Sequence, residues 1–141
     1  MSEEKITELV EPTKEVLEWI VEKLGDYSGW TVKKYSGTSR AKIYQEAGVM
    51  SLPAALVSYK GSAANENYPR RNLNFSVIIM TEDAGDIEDA ADDAQPLLDT
   101  AMDMLDQEEY EGIIFKFKGD NALDISQNIA AYELSFSAED Y

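Results

Sequence analysis

The stretch Pro53–Asp83, PAALVSYKGSAANENYPRRNLNFSVIIMTED, decides the fold that we predict for this chain. It holds two apolar runs, Ala54–Tyr59 and Leu73–Thr81, on either side of a polar loop. The two runs are rich in Val, Ile, Leu, Phe and Tyr and are too short for typical helices, which predicts strands. Because consecutive strands usually pair, we expect an antiparallel hairpin with a long loop at its tip.

The second strand of this hairpin is apolar on both sides in its C-terminal half. Val77 and Ile79 point to one face, while Ile78 and Met80 point to the other. Apolar residues on both faces predict a central strand that is covered twice. A helix is expected on one face. The other cover is either a further part of the same chain or a subunit interface.

The spacing of apolar residues elsewhere predicts two helices and further strands. The first helix spans 3–24, with its secure part starting near Glu11 because of Pro12, and Trp19 beside its stripe is predicted to anchor it against the sheet. The second spans Ile87–Leu105, where Pro96 is expected to kink or split it. The remaining predicted strands are Trp30–Tyr35, Ile113–Lys118 and Ile129–Ser137.

The sequence therefore predicts a single domain over 1–141 with an α+β fold. Its mostly antiparallel sheet of about four to five strands is packed by two helices, in the order α-β-β-β-α-β-β. Two stretches fit this order less directly. Arg40–Ala47 is compatible with a turn or two of helix closed by Gly48, and Gly119-Asp120-Asn121 is predicted to be a turn after the fourth strand.

The composition excludes several kinds of site. The chain has no cysteine and no histidine, which rules out disulfides, thiolate metal sites, ordinary zinc sites and the commonest general base. No glycine-rich phosphate loop or nucleophile elbow is present. The acidic residues at the start of the second helix match no calcium loop and are read first as a solvated face. We therefore expect no catalysis, no cofactor and no bound metal.

The charge is strongly acidic, with 12 Lys and Arg against 28 Asp and Glu, a net charge of −16. Such a field opposes binding to nucleic acid through the phosphates. It serves solubility, or it marks a surface that repels or imitates DNA. The first residues show no signal-peptide pattern, and no run approaches a membrane span, so we expect assembly in a cytosol without a membrane partner.

The loop Gly61–Arg71 is the candidate interaction site. A loop of this length is expected to be a binding element or a solvated tip. Three of the 12 basic residues lie in it or beside it, so a contact arm that meets an acidic surface of a neighbouring subunit is the alternative to a solvated tip. The candidate contact residues are Lys60, Asn65, Asn67, Tyr68, Arg70 and Arg71.

Several local patterns, taken in order, resemble the tail-terminator (tail-completion) proteins of long-tailed bacteriophages, including the Mu-like prophage type. They cover nearly the whole chain, although Arg40–Gly48 has no place in them. The patterns are the helix EVLEWIVEKL at 15–24, the strands LPAALVSYKG at 52–61 and RRNLNFSVIIMTED at 70–83, the helix AQPLLDTAMDMLD at 94–106 and the strand IAAYELSFSAED at 129–140.

This resemblance implies a structural virion protein. Members of the family form a ring, usually of six copies, on the end of the tail tube. The ring ends tube polymerisation and offers a joining surface to the head-tail connector, while DNA passes through its lumen without specific binding. Two alternatives stay open: a neck or head-completion protein of similar fold, and an acidic DNA mimic that inhibits a DNA-binding protein and is a monomer or dimer.

Overall fold

The computed structural model describes residues 2–35, 40–64, 71–82, 87–123 and 129–139. These residues form an α+β fold, as the sequence predicts, with three helices and six strands. The helix α2 and the short strand β4 are additional to the predicted order. The elements are α1 (Ser2–Gly25), β1 (Thr31–Lys34), α2 (Arg40–Val49), β2 (Ala54–Ala64), β3 (Arg71–Glu82), α3 (Ile87–Leu105), β4 (Glu109–Tyr110), β5 (Ile113–Leu123) and β6 (Ile129–Glu139).

The strands form one sheet in the order β1-β2-β3-β6-β5-β4. All neighbours are antiparallel except β1 and β2, which are parallel. Parallel neighbours need a crossover connection, and α2 provides it here. The stretch that the sequence left without a clear role is therefore the crossover helix of a mixed sheet.

The predicted hairpin is confirmed, but its loop is shorter than expected. β2 and β3 pair from Ala54–Met80 to Ala64–Arg71, with a bulge between Tyr59 and Gly61. Gly61 has a φ of 112°, a value that glycine adopts without steric cost. The prediction of a loop over Gly61–Arg71 is wrong at both ends, because the strands continue past the bulge and only residues 65–70 connect them.

The predicted turn at Gly119-Asp120-Asn121 is also wrong, since all three residues belong to β5. Gly119 is opposite Ser135 and Asn121 is opposite Glu133, with a bulge between Phe117 and Gly119. Gly119 has a φ of 149°. A glycine at a bulge and a glycine in a turn give the same local sequence signal, so only the pairing with β6 separates the two.

One face of the sheet packs against α1 and α3. Val16 and Ile20 of α1 and Leu98 and Ala101 of α3 are buried in one cluster with the sheet residues on this face. Trp19 stacks on Phe115 with ring centroids 5.0 Å apart, which is the anchoring contact that its position predicts. The sheet residues of this cluster include Ala55, Val57, Phe75, Val77, Ile79, Phe115, Leu134 and Phe136.

The opposite face is covered by α2 along part of its length. Ile43 and Ala47 are buried against Leu56, Ile78 and Met80. The second cover of β3 is thus supplied by the same chain in this region, which explains why the strand is apolar on both sides.

Both proline-containing helices are continuous. α1 runs as one helix from Ser2 to Gly25, including Pro12. α3 contains Pro96 in its interior without being split. Pro96 cannot donate to the Asp92 carbonyl, but both residues are exposed, so water can satisfy that carbonyl. The Thr100 hydroxyl donates to the Pro96 carbonyl at 2.8 Å.

Candidate functional site

Lys60, the first residue of the predicted contact arm, is engaged within its own chain. It lies at the bulge of β2, and its Nζ is 3.4 Å from Oε2 of Glu133 on β6. The two side chains keep only 27% and 21% of their exposure. The ammonium therefore lies over the sheet surface rather than at the hairpin tip.

The other predicted contact residues are placed only in part. Arg71 is the first residue of β3 and is paired with Ala64, so its backbone belongs to the sheet. Asn65, Asn67, Tyr68 and Arg70 lie outside the described residues. Their contact role stays a prediction.

The carboxylates are concentrated on the helices that cover one face of the sheet. α3 carries six acidic residues and no basic one, and α1 carries seven glutamates and three lysines. We call the solvent side of α1 and α3 the acidic face. Its described exposed members include Glu15 and Glu22 on α1 and Asp92, Asp93, Asp99 and Asp103 on α3.

The sheet itself is nearly balanced in charge. Its six strands together carry six basic and five acidic residues. A chain with a net charge of −16 thus keeps its excess on α1, on α3 and in its connections, and not along the strands. Surfaces built from the strands are the ones that a second copy can approach with least repulsion.

Both outer strands cover less than half of the strand beside them. β1 pairs with Ala54–Val57 of β2, and β4 pairs with Ile113 and Ile114 of β5. Beyond β4, hydrogen bonds to residues 106–108 cover the edge of β5 as far as Phe117. The Gln107 N–H donates to the Phe115 carbonyl, the Phe115 N–H donates to the Glu108 carbonyl, and the Phe117 N–H donates to Asp106 Oδ1 at 3.0 Å. Within the described ranges, no strand lies beside Ser58–Ala64, the open β2 edge, or beside Lys118–Leu123, the open β5 edge.

A cavity of about 640 Å³ lies where the end of α2, the start of β2 and the middle of α3 meet. Leu97 and Ile129 form part of its apolar wall, and Glu82 and Asp93 stand at its rim. The one buried polar side chain in its lining, Thr81, already donates to the Ala90 carbonyl at 2.5 Å. Among the described residues that line the cavity, no nucleophile is paired with a base and no buried donor is unsatisfied.

The described residues also show no metal cluster, no unsatisfied buried polar group and no membrane-spanning helix. Among them, no group of three or more carboxylates is placed to hold a metal ion. In the same part of the chain, no buried polar side-chain atom lacks a hydrogen-bond partner. The described helices include none that is both long and apolar enough to cross a membrane.

The chain matches no protein-family model, and no curated protein matches it.

Sequence reasoning identified the hairpin as important but missed the two open edges. The sequence predicts a turn at Gly119–Asn121 of the open β5 edge and places Gly61–Ala64 of the open β2 edge in the loop. A possible signal is the pair of similar segments, YKGSA at 59–63 and FKGDN at 117–121, in which an aromatic residue, a lysine and a glycine mark each bulge.

Proposed function

We propose that this chain is a structural virion protein that assembles into a ring at the end of a phage tail tube. The ring ends tube growth and presents a surface to the head-tail connector, and DNA passes through it without specific binding. The proposal rests on the resemblance to tail-terminator proteins. The observation that carries it further is the separation of charge between the acidic face and the nearly balanced sheet.

This separation suits a protein that associates with itself while it repels DNA. Contacts between copies of an acidic protein need surfaces without like charge, and the strand edges provide them. An excess of carboxylates on the helices disfavours contact with the DNA phosphates wherever the two approach. A neck protein of similar fold has the same two requirements and is the nearest alternative in role.

One observation favours the DNA mimic as a second candidate. α3 presents acidic residues from Asp92 to Asp103 on a single helix without a basic residue. At 1.5 Å per residue this row is about 16 Å long, comparable to a few phosphate spacings of a duplex. A mimic requires no ring, so self-association separates the two candidates.

The experiment is a mass measurement in solution by light scattering, at several protein and salt concentrations, with negative-stain imaging of the same samples. Rings with a central hole wide enough for duplex DNA are the expected result. A compact dimer without a hole, together with displacement of DNA from a DNA-binding protein, would replace the terminator proposal by the mimic. A variant with Arg70→Glu and Arg71→Glu tests the predicted contact arm. Rings that persist unchanged would show that these two residues do not form the contact between subunits.

A further inference from the structure

The two open edges lie at opposite ends of the sheet. Leu123, at the end of the open β5 edge, is level with Ala54, because the register runs from Leu123 through Ala131 and Met80 to Ala54. β1 occupies the edge at that level on the β2 side. β4 occupies the edge of β5 at the level where β2 ends. The sheet therefore has two stepped edges, each open where the other is covered.

The strand directions allow one edge to pair with the other on a second copy. β2 and β6 run in one direction, and β3 and β5 run in the opposite direction. When the sheet of a second copy continues beyond β5 in the same orientation, its β2 is antiparallel to β5. An antiparallel strand satisfies the edge N–H and C=O groups of both partners.

The register that matches the two open edges preserves the faces of the sheet. Asp120 is level with Val77 of β3, and Ser62 is opposite Leu73 of β3. Placing Ser62 of one copy opposite Asp120 of another therefore shifts the copies by four residues along the strands. Because this number is even, the side chains stay on their own faces and the acidic face of every copy lies on the same side.

The same shift is compatible with closure. Four residues correspond to about 13 Å along the strand. The four neighbouring strands β2, β3, β6 and β5 span about 19 Å across the sheet. A closed sheet with this ratio has its strands tilted by about 35° to the axis, at the lower end of the range for closed sheets. This tilt depends on the shift per copy and not on the number of copies, so it fits rings of different sizes.

The charges on the two edges do not oppose this contact. The open β2 edge carries one lysine, Lys60, and the open β5 edge carries Lys118 and Asp120. Neither edge belongs to the acidic face, where two copies would meet like charges. A contact through α1 or α3 would place glutamates and aspartates of both copies together.

We propose that copies of this chain join head to tail, the open β5 edge of one copy pairing antiparallel with the open β2 edge of the next. This inference rests on the proposed ring and names the surface that builds it. A head-to-tail contact leaves one free edge on each end of a growing chain until the rotation closes it.

The chain contains no cysteine, so an engineered disulfide tests this contact directly. Ser62 and Asp120 are both exposed in the single chain. Directly opposite residues of an antiparallel pair have Cα atoms about 4.5 to 5.5 Å apart, which a disulfide spans. The test variant is Ser62→Cys with Asp120→Cys, oxidised mildly and separated on a non-reducing gel.

The expected result is a ladder of covalent multimers for the double variant. A mixture of the two single variants should give a covalent dimer and nothing larger, because each copy then carries one cysteine. Asp120→Cys alone should stay monomeric on the gel. The matched control is Ser62→Cys with Asp103→Cys, which also carries two exposed cysteines but places the second on the acidic face.

Two results would overturn the proposal. Efficient cross-linking of Asp120→Cys alone would show that two β5 edges pair with each other in a closed dimer. A double variant that cross-links no better than the control would show that the two edges do not meet.

Imaging of the unmodified protein separates this inference from the proposed function. If the unmodified protein forms rings but the double variant does not cross-link specifically, the proposed ring stands and the proposed edge contact is wrong. Specific multimers that form filaments or arcs without a central hole would keep the edge contact and contradict the terminator proposal.

Discussion

Lys60 and Glu133 form an ion pair across the central strand β3, with Nζ 3.4 Å from Oε2. Lys60 belongs to β2 and Glu133 to β6, and β3 lies between these two strands. The pair lies on the face opposite to α1 and α3, over the region where Ser58 and Ser76 are buried. It fixes the lysine that the sequence assigned to a contact arm.

We expect Lys60→Glu to lower the free energy of unfolding by about 1 kcal/mol, because it replaces a partly shielded attraction by a repulsion. Combining it with Glu133→Lys should restore most of the loss. The coupling in this double-mutant cycle is expected to be about 0.5–1 kcal/mol in urea unfolding.

The pair of Lys34 and Glu18 supplies the control for this cycle. Its atoms are 3.5 Å apart, but its side chains keep 48% and 46% of their exposure. The same reversal of charges there should show weaker coupling because water screens the pair. Equal coupling in the two cycles would contradict the shielding of Lys60 and Glu133.

The hydroxyls of Ser58 and Ser76 lie 3.0 Å apart, and both residues are buried. Ser58→Ala or Ser76→Ala alone leaves a buried hydroxyl without this partner and should cost about 1–2 kcal/mol. The double variant removes both hydroxyls, so its cost should be smaller than the sum of the single costs. Urea unfolding of the three variants measures this, and strictly additive costs would show that the two hydroxyls do not depend on each other.

Asp103 is in the last turn of α3, which has no basic residue there. Asp103→Lys should raise the free energy of unfolding by about 0.5–1 kcal/mol, because a cation near the C-terminus complements the helix dipole and pairs with Asp99 one turn earlier. Asp92→Lys makes the same change of charge nearer the N-terminus of the helix and should raise the free energy of unfolding by a smaller amount. An equal gain at both positions would mean that relief of net charge, and not the helix dipole, sets the effect.

Burial raises the pKa of Tyr110 above its ordinary value of 10.0, and the carboxylates of Glu111, Glu15, Glu22 and Glu18 act in the same direction. The folded state thus favours the neutral phenol. The corresponding stability is fully present below the pKa of the unfolded chain, near pH 10, and is lost as the pH rises through the higher folded value.

We therefore expect the free energy of unfolding to fall as the pH rises above 10, and to fall less in Tyr110→Phe. Urea unfolding at several pH values between 9 and 12 measures both slopes. Tyr27→Phe removes an exposed tyrosine and serves as the matched control. A Tyr110→Phe variant with the slope of the unmodified protein would show that this phenol does not take part.

Two short apolar runs were sufficient to predict the strands of the central hairpin. Val77 and Ile79 on one face and Ile78 and Met80 on the other identified β3 as a strand covered twice, and this is confirmed. This prediction succeeds because successive side chains of a strand point to opposite faces whatever the partner is, so a run that is apolar at every position needs a cover on both faces. The missing cysteines and histidines likewise limited the chemistry without any structure.

The sequence left the ends of the strands and the role of α2 undecided. Ile43 and Ala47 are the buried apolar residues described on α2, too few to give a clear helical stripe, so its place over the second face depends on the strands beneath it. Gly61 and Gly119 gave turn signals that are overridden by pairing with β3 and β6. A glycine shows only that the backbone can adopt a turn or a bulge, whereas pairing with a neighbouring strand determines which of the two forms.

By itself, then, the sequence determined the α+β class, the central hairpin, the acidic charge and the absence of thiol and imidazole chemistry, because each follows from composition or from a local period. The tertiary structure alone decided that Lys60 binds Glu133, that α2 joins two parallel strands and that β2 and β5 each have an edge with no described strand beside it. These features depend on which strands lie side by side, and a contact between residues distant in the chain leaves no periodic trace in either segment.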